Sequence, residues 1–217
     1  MNIIFEGING AGKSTIIKEI SRLSTSSEIN IFDDINTGTI CSSVIEQLFK
    51  ESPMLHIKKD YDTAVGESLI LLTDFNCLMQ NNLKNGINIY DRFYFTTLIY
   101  QSYILRNYSK VSEEFLNLYE KLLKINAVSI DYFVYVDIDI KTGIERTEMR
   151  DKRKFNDEEI KFFTQMQKEL KKYCIWHCNK NNIKLLMLDG KDSLQDNINK
   201  INNFVPELKL NNGDKLI

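Results

Sequence analysis

A glycine-rich stretch between an apolar run and a helical run constrains this chain more than any other feature. Residues 7–15 read Gly-Ile-Asn-Gly-Ala-Gly-Lys-Ser-Thr, so four residues separate Gly7 from the triplet Gly12-Lys13-Ser14. A strand, a glycine loop and a helix in this order direct successive backbone N–H groups and a helix N-terminus at one anion. The sequence therefore predicts a nucleoside triphosphate site. A glycine-rich turn that only links strand to helix is the alternative.

The loop residues have separate expected roles. The Lys13 ammonium is expected to reach the β- and γ-phosphates, and the Ser14 hydroxyl is expected to bind Mg²⁺. The loop is expected to surround the phosphates of ATP. Its expected ATP-binding residues are Gly7, Asn9, Gly10, Ala11, Gly12, Lys13, Ser14 and Thr15.

Composition limits the classes of function. The chain has 217 residues, with 28 lysines and arginines against 30 acidic residues, so its net charge is −2. A length of this size suits one α/β domain, and the balanced charge argues against a protein that binds duplex nucleic acid. No apolar stretch is long enough to span a bilayer. The sequence therefore predicts a cytoplasmic protein that binds no nucleic acid polymer and no membrane.

The cysteines offer one candidate metal site. Cys174, His177 and Cys178 are spaced i, i+3, i+4 and share one face of a predicted helix. A structural metal site needs a fourth ligand, and none lies nearby in sequence. The same face continues the apolar positions Phe163, Met166, Leu170 and Tyr173. The pattern therefore favours a buried helix face with reduced thiols over a metal site.

Strand-like and helical runs alternate along the chain. The predicted strands are Asn2–Phe5, Ile29–Phe32, Ile87–Tyr90, Tyr132–Val136 and Ile183–Leu188. The predicted helices are Ser14–Leu23, Thr39–Phe49, Tyr61–Leu83, Tyr94–Arg106, Glu113–Ile125, Lys141–Arg150 and Asp157–Lys180, with Asn156 and Glu159 as a capping pair at the last. This alternation predicts an α/β protein with a five-stranded parallel sheet covered by helices on both faces. We expect one domain over residues 1–205 and a polar tail over residues 206–217.

An acid and an arginine follow the third predicted strand. Asp91 and Arg92 are expected at the carboxyl end of the sheet, where ligands gather in such folds. Asp91 can hold the shell of a Mg²⁺ ion, and Arg92 can meet the transferring phosphoryl group or the acceptor. A surface ion pair at a helix start is the alternative interpretation.

These motifs resemble the thymidylate kinase family. Its members begin Phe-Glu-Gly-x-Asp-Gly-x-Gly-Lys-Ser/Thr-Thr, which residues 5–15 match except at Asn9, and they continue with Asp-Arg-Tyr and Tyr-Gln, which Asp91-Arg92-Phe93 and Tyr100-Gln101 match. The resemblance covers roughly Asn2 to Leu188. It implies a three-layer P-loop kinase fold with a helical lid, ATP as phosphoryl donor, Mg²⁺ as cofactor and dTMP as acceptor.

The resemblance also implies further site residues. A lid over about residues 144–156 would bring three arginines to the triphosphate, namely Arg146, Arg150 and Arg153; we call them the lid arginines. A solvated helix end is the alternative, because acids interleave with them. The turn from Asp189 to Ser193 would lie near adenine. Acceptor-binding residues would be Asp34, Leu71, Phe75, Arg92, Thr97, Tyr100 and Gln101. Family members pair as homodimers through their second and third helices, where this chain has Leu48, Phe49 and Leu69–Leu72, although a core helix has the same pattern.

The departures from the family pattern concern the acceptor. The P-loop aspartate of the family is Asn9, and no lysine or arginine occurs from Leu23 to Phe49 or from Tyr61 to Leu83. Arg92 is then the main anion-binding group on the acceptor side, with Lys58 or Lys59 as possible helpers.

The acceptor therefore stays open between two kinds of molecule. A phosphate acceptor needs positive charge, whereas a nucleoside hydroxyl needs a base such as Asp33 or Asp34; these two acids also suit an Asx turn or a helix cap. A regulatory nucleotide switch is a third reading. It is disfavoured because the sequence has no Asn-Lys-x-Asp motif and a switch has no use for Arg92.

Overall fold

The computed structural model describes residues 1–26, 28–33, 38–51, 61–81, 85–106, 113–125 and 129–211. Contacts group the chain into two compact units. The first unit comprises Met1–Phe32, Lys84–Arg92 and Ile130–Ile217, and the second comprises Asp33–Leu83 and Phe93–Ser129.

A five-stranded sheet in the order β2-β3-β1-β4-β5 forms the centre of the first unit. Its strands are β1 (Asn2–Glu6), β2 (Ile29–Asp33), β3 (Ile87–Asp91), β4 (Tyr132–Asp137) and β5 (Lys184–Asp189). Strand β1 pairs in parallel with both β3 and β4, and β4 pairs in parallel with β5. The predicted α/β class and the five-stranded parallel sheet are confirmed. Each strand ends within one residue of its predicted end, so Asp33 and Asp91 are the last residues of β2 and β3, and Arg92 directly follows β3.

The helices of the first unit are α1 (Lys13–Leu23), α6 (Ile140–Asp151), α7 (Asp157–Asn181) and α8 (Leu194–Phe204). Helix α8 is absent from our sequence prediction. Its signals were available: Ser193 caps it by accepting a hydrogen bond from the Asp196 N–H, and the buried Ile198 and Ile201 are spaced three residues apart. The predicted capping pair at α7 is confirmed, because the Asn156 side chain bonds the Glu159 N–H and the Glu159 side chain bonds the Asn156 N–H.

Alternation along β1 divides the buried side chains between the two faces of the sheet. Ile3 and Phe5 belong to the core cluster that contains the apolar stripe of α1 and the buried isoleucines of α8. Ile4 and Glu6, which are also fully buried, point to the opposite face because successive strand side chains alternate. Burying one such aliphatic or aromatic side chain stabilises the fold by roughly 1.5–3 kcal/mol. The α1 stripe therefore anchors the helix that follows the glycine loop.

The chain after α8 also contributes to the core of the first unit. A short 3₁₀ helix spans Pro206–Leu208, and Leu208 and Leu210 are buried. Ser24 forms an isolated bridge with Leu210. The segment that we expected to be a polar tail from residue 206 therefore contributes two leucines to the core within the described residues.

The described residues of the second unit form four helices, namely α2 (Ser42–Glu51), α3 (Tyr61–Asn81), α4 (Tyr94–Arg106) and α5 (Glu113–Ile125). Aromatic rings fill the space between α3 and the start of α4. The Phe75 ring lies 5.2 Å from that of Phe93 and 5.7 Å from that of Tyr94, and both contacts are edge-to-face. Such pairs contribute about 0.5–1.5 kcal/mol beyond their buried area. Among the residues that the structure describes, no helix has the length and apolarity needed to cross a bilayer.

Candidate active site

Three glycines shape the loop between β1 and α1. Gly7, Gly10 and Gly12 all have positive φ, at 142°, 77° and 99°. A Cβ atom on Gly7 would lie 2.4 Å from the Val136 carbonyl oxygen, so only glycine fits against β4 there. Helix α1 begins at Lys13, and its N-cap residue Gly12 offers no side-chain hydrogen bond. The first N–H groups of α1 are therefore left for an anion.

The Lys13 side chain lies inside this loop. It is 5% exposed, and its ammonium donates hydrogen bonds to the carbonyl oxygens of Gly7 at 2.9 Å and Ile8 at 3.2 Å. These carbonyls offset the desolvation of a buried cation. The loop thus holds a positive charge at the position where the motif predicts the β- and γ-phosphates.

Two oxygen ligands lie together beside the loop. The Ser14 hydroxyl donates a hydrogen bond to the Asp91 carboxylate, which joins the first turn of α1 to the end of β3. Asp91 is 8% exposed. A hydroxyl and a carboxylate are hard oxygen donors of the kind that Mg²⁺ prefers. The two predicted metal ligands, Ser14 and Asp91, are therefore in contact and fit a Mg²⁺ ion.

Arg92 has an unusual backbone conformation. Its φ is +78°, a left-handed value that is uncommon for a residue with a side chain. Its N–H donates to the Phe5 carbonyl oxygen at 2.9 Å, and its guanidinium donates to the Asn9 side-chain oxygen. Non-glycine residues in sparsely populated backbone regions cluster at functional sites, at about 1–3 kcal/mol each. The fold thus fixes Arg92 against the phosphate-binding loop.

Helix α6 is in backbone contact with the same loop. A Cβ atom on Gly10 would lie 2.2 Å from the carbonyl oxygen of Gly143 in α6. The Asp139 side chain caps α6 by accepting from the Thr142 N–H at 3.0 Å. A hydrogen bond from the Lys191 ammonium, followed by these contacts to Thr142, lowers the pKa of Asp139. The carboxylate therefore stays charged at neutral pH, which suits a helix N-terminus.

The lid arginines make different contacts. Arg146 donates to the Gly190 carbonyl oxygen at 2.9 Å and to the Gly10 carbonyl oxygen at 3.4 Å, so it joins the glycine loop to the turn after β5. Arg150 pairs with Asp151, and Arg153 pairs with Glu159 at 2.7 Å and lies over the Phe155 ring. Arg146 alone of the three contacts the loop.

Predicted acceptor residues of the second unit lie on α3 and α4. Phe75 and Gln101 are buried, whereas Leu71, Thr97 and Tyr100 are partly exposed. Asp34 lies outside the described residues, as do Lys58 and Lys59, so their predicted roles stay predictions. Asp33 ends β2 and is exposed.

Gln101 has a partner that the sequence did not reveal. Ser68 Oγ lies 2.8 Å from both the Gln101 side-chain oxygen and the Ala64 carbonyl oxygen. The Ser68 hydroxyl donates to the Gln101 side-chain oxygen, and the Gln101 NH₂ group is buried with no hydrogen-bond partner among the described residues. The NH₂ group is therefore the end of the Gln101 amide that is left for an acceptor.

Asp74 is a second buried group that sequence reasoning missed. It is 4% exposed on α3 and accepts a hydrogen bond from the Thr39 hydroxyl. Thr39 in turn accepts from the Cys41 N–H at 3.1 Å. An acid at a helical position between apolar neighbours was the available signal.

The candidate Cys/His cluster divides between a buried and a partly exposed side of α7. Cys174 and Cys178 are buried and continue the apolar face that includes Leu170, whereas His177 is partly exposed. Burial raises the pKa of Cys178 to about 12. Both thiols are therefore protonated core side chains, as the buried-face interpretation expects.

The sequence is similar to known thymidylate kinases. A family profile described as Thymidylate kinase matches residues 5–201. A thymidylate kinase from Legionella pneumophila (strain Corby) is 26% identical over 213 residues, which cover 94% of this chain and 93% of that protein. One from Prosthecochloris aestuarii is 34% identical over 109 residues, or 48% of this chain and 46% of the relative.

Solved structures show the same fold at lower identity. A deoxyadenosine kinase from M. mycoides with bound dATP has a TM-score of 0.68 at 21% identity, covering 95% of this chain and 100% of that one. A thymidylate kinase from Ehrlichia chaffeensis has a TM-score of 0.60 at 18% identity, covering 94% and 98%. The profile match extends over nearly the whole chain and includes the glycine loop, Asp91 and Arg92. This chain belongs to the thymidylate kinase family.

Proposed function

We propose that this protein transfers the γ-phosphoryl group of ATP to the phosphate of dTMP, giving dTDP and ADP. The observation that carries the proposal is the fixed position of Arg92, whose guanidinium donates to Asn9 of the phosphate-binding loop. A phosphate acceptor is already ionised, so it needs positive charge beside the γ-phosphate and no base. An immobilised arginine at the loop supplies that charge.

The donor side acts through positioning and charge. Backbone N–H groups of the loop and of the first turn of α1 bind the phosphates, and Lys13 leaves its carbonyl partners to contact the β- and γ-oxygens. Ser14 and Asp91 would hold Mg²⁺ because their oxygens are already in contact. When bound, the ion would neutralise part of the negative charge that develops on the phosphates. Gly7, Asn9, Gly10, Ala11, Gly12 and Thr15 complete this ATP-binding set.

The lid arginines stabilise the transferring group. Phosphoryl transfer spreads negative charge over equatorial oxygens, and one arginine at those oxygens contributes ~10³-fold or more. Arg146 is the first candidate because it contacts both Gly10 and Gly190. Arg150 and Arg153 reach the phosphates only after exchanging their present acidic partners.

The acceptor's phosphate is assigned to Arg92 in this proposal. Its base and sugar are assigned to residues on α3 and α4, namely Leu71, Phe75, Thr97, Tyr100 and Gln101. The buried NH₂ group of Gln101 suits a carbonyl acceptor such as thymine O4, because Ser68 occupies the side-chain oxygen. Asp34 is a further acceptor contact in this proposal.

A second acceptor class follows from one sequence observation. No lysine or arginine occurs from Leu23 to Phe49 or from Tyr61 to Leu83. An uncharged nucleoside or related metabolite needs less positive charge, and Asp33 or Asp34 would then take the proton of its hydroxyl. The similar fold of a deoxyadenosine kinase is compatible with this alternative.

We also propose that the enzyme is a cytoplasmic homodimer. Its four cysteines are free thiols, as in reducing compartments. Val44 on α2 and Leu69 on α3 are 45% and 47% exposed, which suits a helix-to-helix interface in that unit. Sedimentation of the purified protein gives the oligomeric state directly.

Substitutions on the two acceptor-side candidates test the proposal. Arg92→Ala should raise the KM for dTMP at least ~10-fold, because it removes a charge-assisted hydrogen bond to the phosphate. Asp33→Asn and Asp34→Asn should change kcat less than about threefold. A loss of ~10²–10⁴-fold in kcat at either aspartate would instead identify a general base and a nucleoside acceptor.

A further inference from the structure

A buried amide with one unpaired end lies between α3 and α4. The Gln101 side chain on α4 is fully buried, and its side-chain oxygen accepts a hydrogen bond from the Ser68 hydroxyl at 2.8 Å. Its NH₂ group has no hydrogen-bond partner among the described residues. An unpaired buried donor destabilises a folded protein, so its retention indicates a partner that binds there.

Ser68 holds the opposite end of this amide in place. Its side chain is fully buried on α3 and also lies 2.8 Å from the Ala64 carbonyl oxygen, one helical turn earlier. Both contacts keep the serine side chain in the rotamer that reaches Gln101. The amide cannot turn over without losing the hydrogen bond to its oxygen. It therefore presents NH₂, and not oxygen, at its free end.

Two contacts show which faces of α3 and α4 meet. Ser68 contacts Gln101, and the Phe75 ring lies 5.7 Å from the Tyr94 ring, centroid to centroid. The two contact positions on each helix are seven residues apart, which is about two turns, so both contacts lie along one antiparallel interface. The stretch between the two contacts carries residues already assigned to the acceptor, namely Leu71 and Thr97.

We infer that Ser68 is a positioning residue that fixes the Gln101 amide with its NH₂ end free, and that this orientation makes the site select a nucleobase with a carbonyl oxygen, such as thymine or uracil, over one with an amino group in its place. The inference rests on the proposed function and names the chemical class of base that the acceptor carries. Ser68 acts through Gln101, since its buried hydroxyl bonds the amide.

The selectivity follows from the donors and acceptors on the edge of the base. The O4 carbonyl of thymine or uracil accepts a hydrogen bond from the Gln101 NH₂ group, whereas the amino group of cytosine would bring a second donor against it. Helix α3 contains no lysine or arginine, so it offers no cationic donor to a base carbonyl. Two buried donors placed against each other lower affinity roughly 10- to 100-fold.

The test compares two acceptors in the wild-type protein and in Ser68→Ala, namely dTMP and 5-methyl-dCMP, which differ in the carbonyl or amino group at position 4. Wild-type protein should prefer dTMP by roughly 10- to 100-fold in kcat/KM. Ser68→Ala lets the Gln101 amide turn over and present its oxygen, so this preference should fall roughly fivefold or more, chiefly through KM. A purely structural role of Ser68 would lower both activities together and leave their ratio unchanged.

Thr73→Ala is the matched control. Thr73 is exposed on the same helix, and its hydroxyl donates to the Leu69 carbonyl oxygen, four residues earlier, at 2.8 Å. The substitution removes the same kind of helical hydroxyl contact away from Gln101, so the preference should stay within about twofold of wild type. Ser68→Thr keeps the hydroxyl and should retain the preference for dTMP.

Thermal unfolding of every variant reports whether it is folded. If Ser68→Ala is unfolded, Ser68→Cys gives the same comparison, because a thiol is similar in size to the hydroxyl and is a weak donor.

The outcomes separate the inference from the proposed function. Both bases are also supplied as nucleosides, thymidine and 5-methyldeoxycytidine, so the base preference is measured whichever kind of acceptor is phosphorylated. If wild-type protein does not prefer the carbonyl base, or if the preference is unchanged in the folded Ser68 variant, the inference is overturned while kinase activity stands. If only nucleosides are phosphorylated, the proposed function is overturned, and a preference for thymidine that falls in Ser68→Ala still supports the role of Ser68. A preference for dTMP that falls in Ser68→Ala supports both.

Discussion

Gly10→Ala is the substitution whose effect the structure determines most fully. Gly10 has φ +77°, and a Cβ atom would lie 2.2 Å from the Gly143 carbonyl oxygen and 3.0 Å from the Thr147 hydroxyl. The first contact must open to at least 3.4 Å, so the loop or α6 must move by about 1 Å. The left-handed backbone and the overpacking together destabilise the fold by about 2–5 kcal/mol. A shift of about 1 Å in a phosphate-positioning loop should also lower kcat roughly 10²-fold.

Gly38→Ala is the matched control for this prediction. Gly38 also has positive φ, at 68°, but a Cβ atom there meets nothing within 4 Å. Its loss of stability should therefore be about 1–2 kcal/mol, from the backbone alone. Urea unfolding and steady-state kinetics measure both effects. Equal losses of stability in the two variants, with near-normal kcat in Gly10→Ala, would refute the argument from contact between the loop and α6.

The remaining predictions concern the donor, the lid and the acceptor base. Lys13→Ala should lower kcat more than ~10²-fold, whereas Lys18→Ala, at an exposed position on the same helix, should not; near-normal turnover without Lys13 would contradict the loop assignment. Amide hydrogen exchange around the lid arginines should slow when an ATP–acceptor bisubstrate analogue binds, and unchanged exchange would assign them to a solvated helix end. Ser68→Ala should raise the KM for dTMP up to about 10-fold by releasing the Gln101 amide, while Thr73→Ala removes an equivalent hydroxyl contact on α3 and should not.

Much of the fold follows from local sequence signals. Alternating apolar and helical runs predict the five strands and most helices because the strands are short apolar runs, which one asparagine interrupts in β2 and in β3. Helix α8 was missed although Ser193 caps it and Ile198 and Ile201 are spaced for one buried face. Polar asparagines and lysines surround these two isoleucines, so the helical spacing of apolar residues is weak in the sequence. The helix buries them in the same core cluster as the apolar residues of α1.

Local motifs predict some of the site residues, whereas the contacts between those residues depend on tertiary packing. The roles of Ser14 and Asp91 were predictable from local motifs, because Ser14 lies in the glycine-loop motif after β1 and Asp91 is the last residue of β3. The bond between Asn9 and Arg92 joins residues far apart in sequence, and no local pattern encodes it. The Arg146 contacts to Gly10 and Gly190 likewise depend on how α6 packs against the loop. Local propensity therefore predicts which residues reach the site, and tertiary packing determines their partners.

The most direct test of the central claim is identification of the product formed from ATP, Mg²⁺ and each of two acceptors. Wild-type protein is incubated with dTMP or with thymidine, and the nucleotide products are separated and quantified. We expect conversion of dTMP to dTDP with a higher kcat/KM than any conversion of thymidine to dTMP, and a kcat more than ~10²-fold lower in Lys13→Ala. Conversion of thymidine with no formation of dTDP would contradict it.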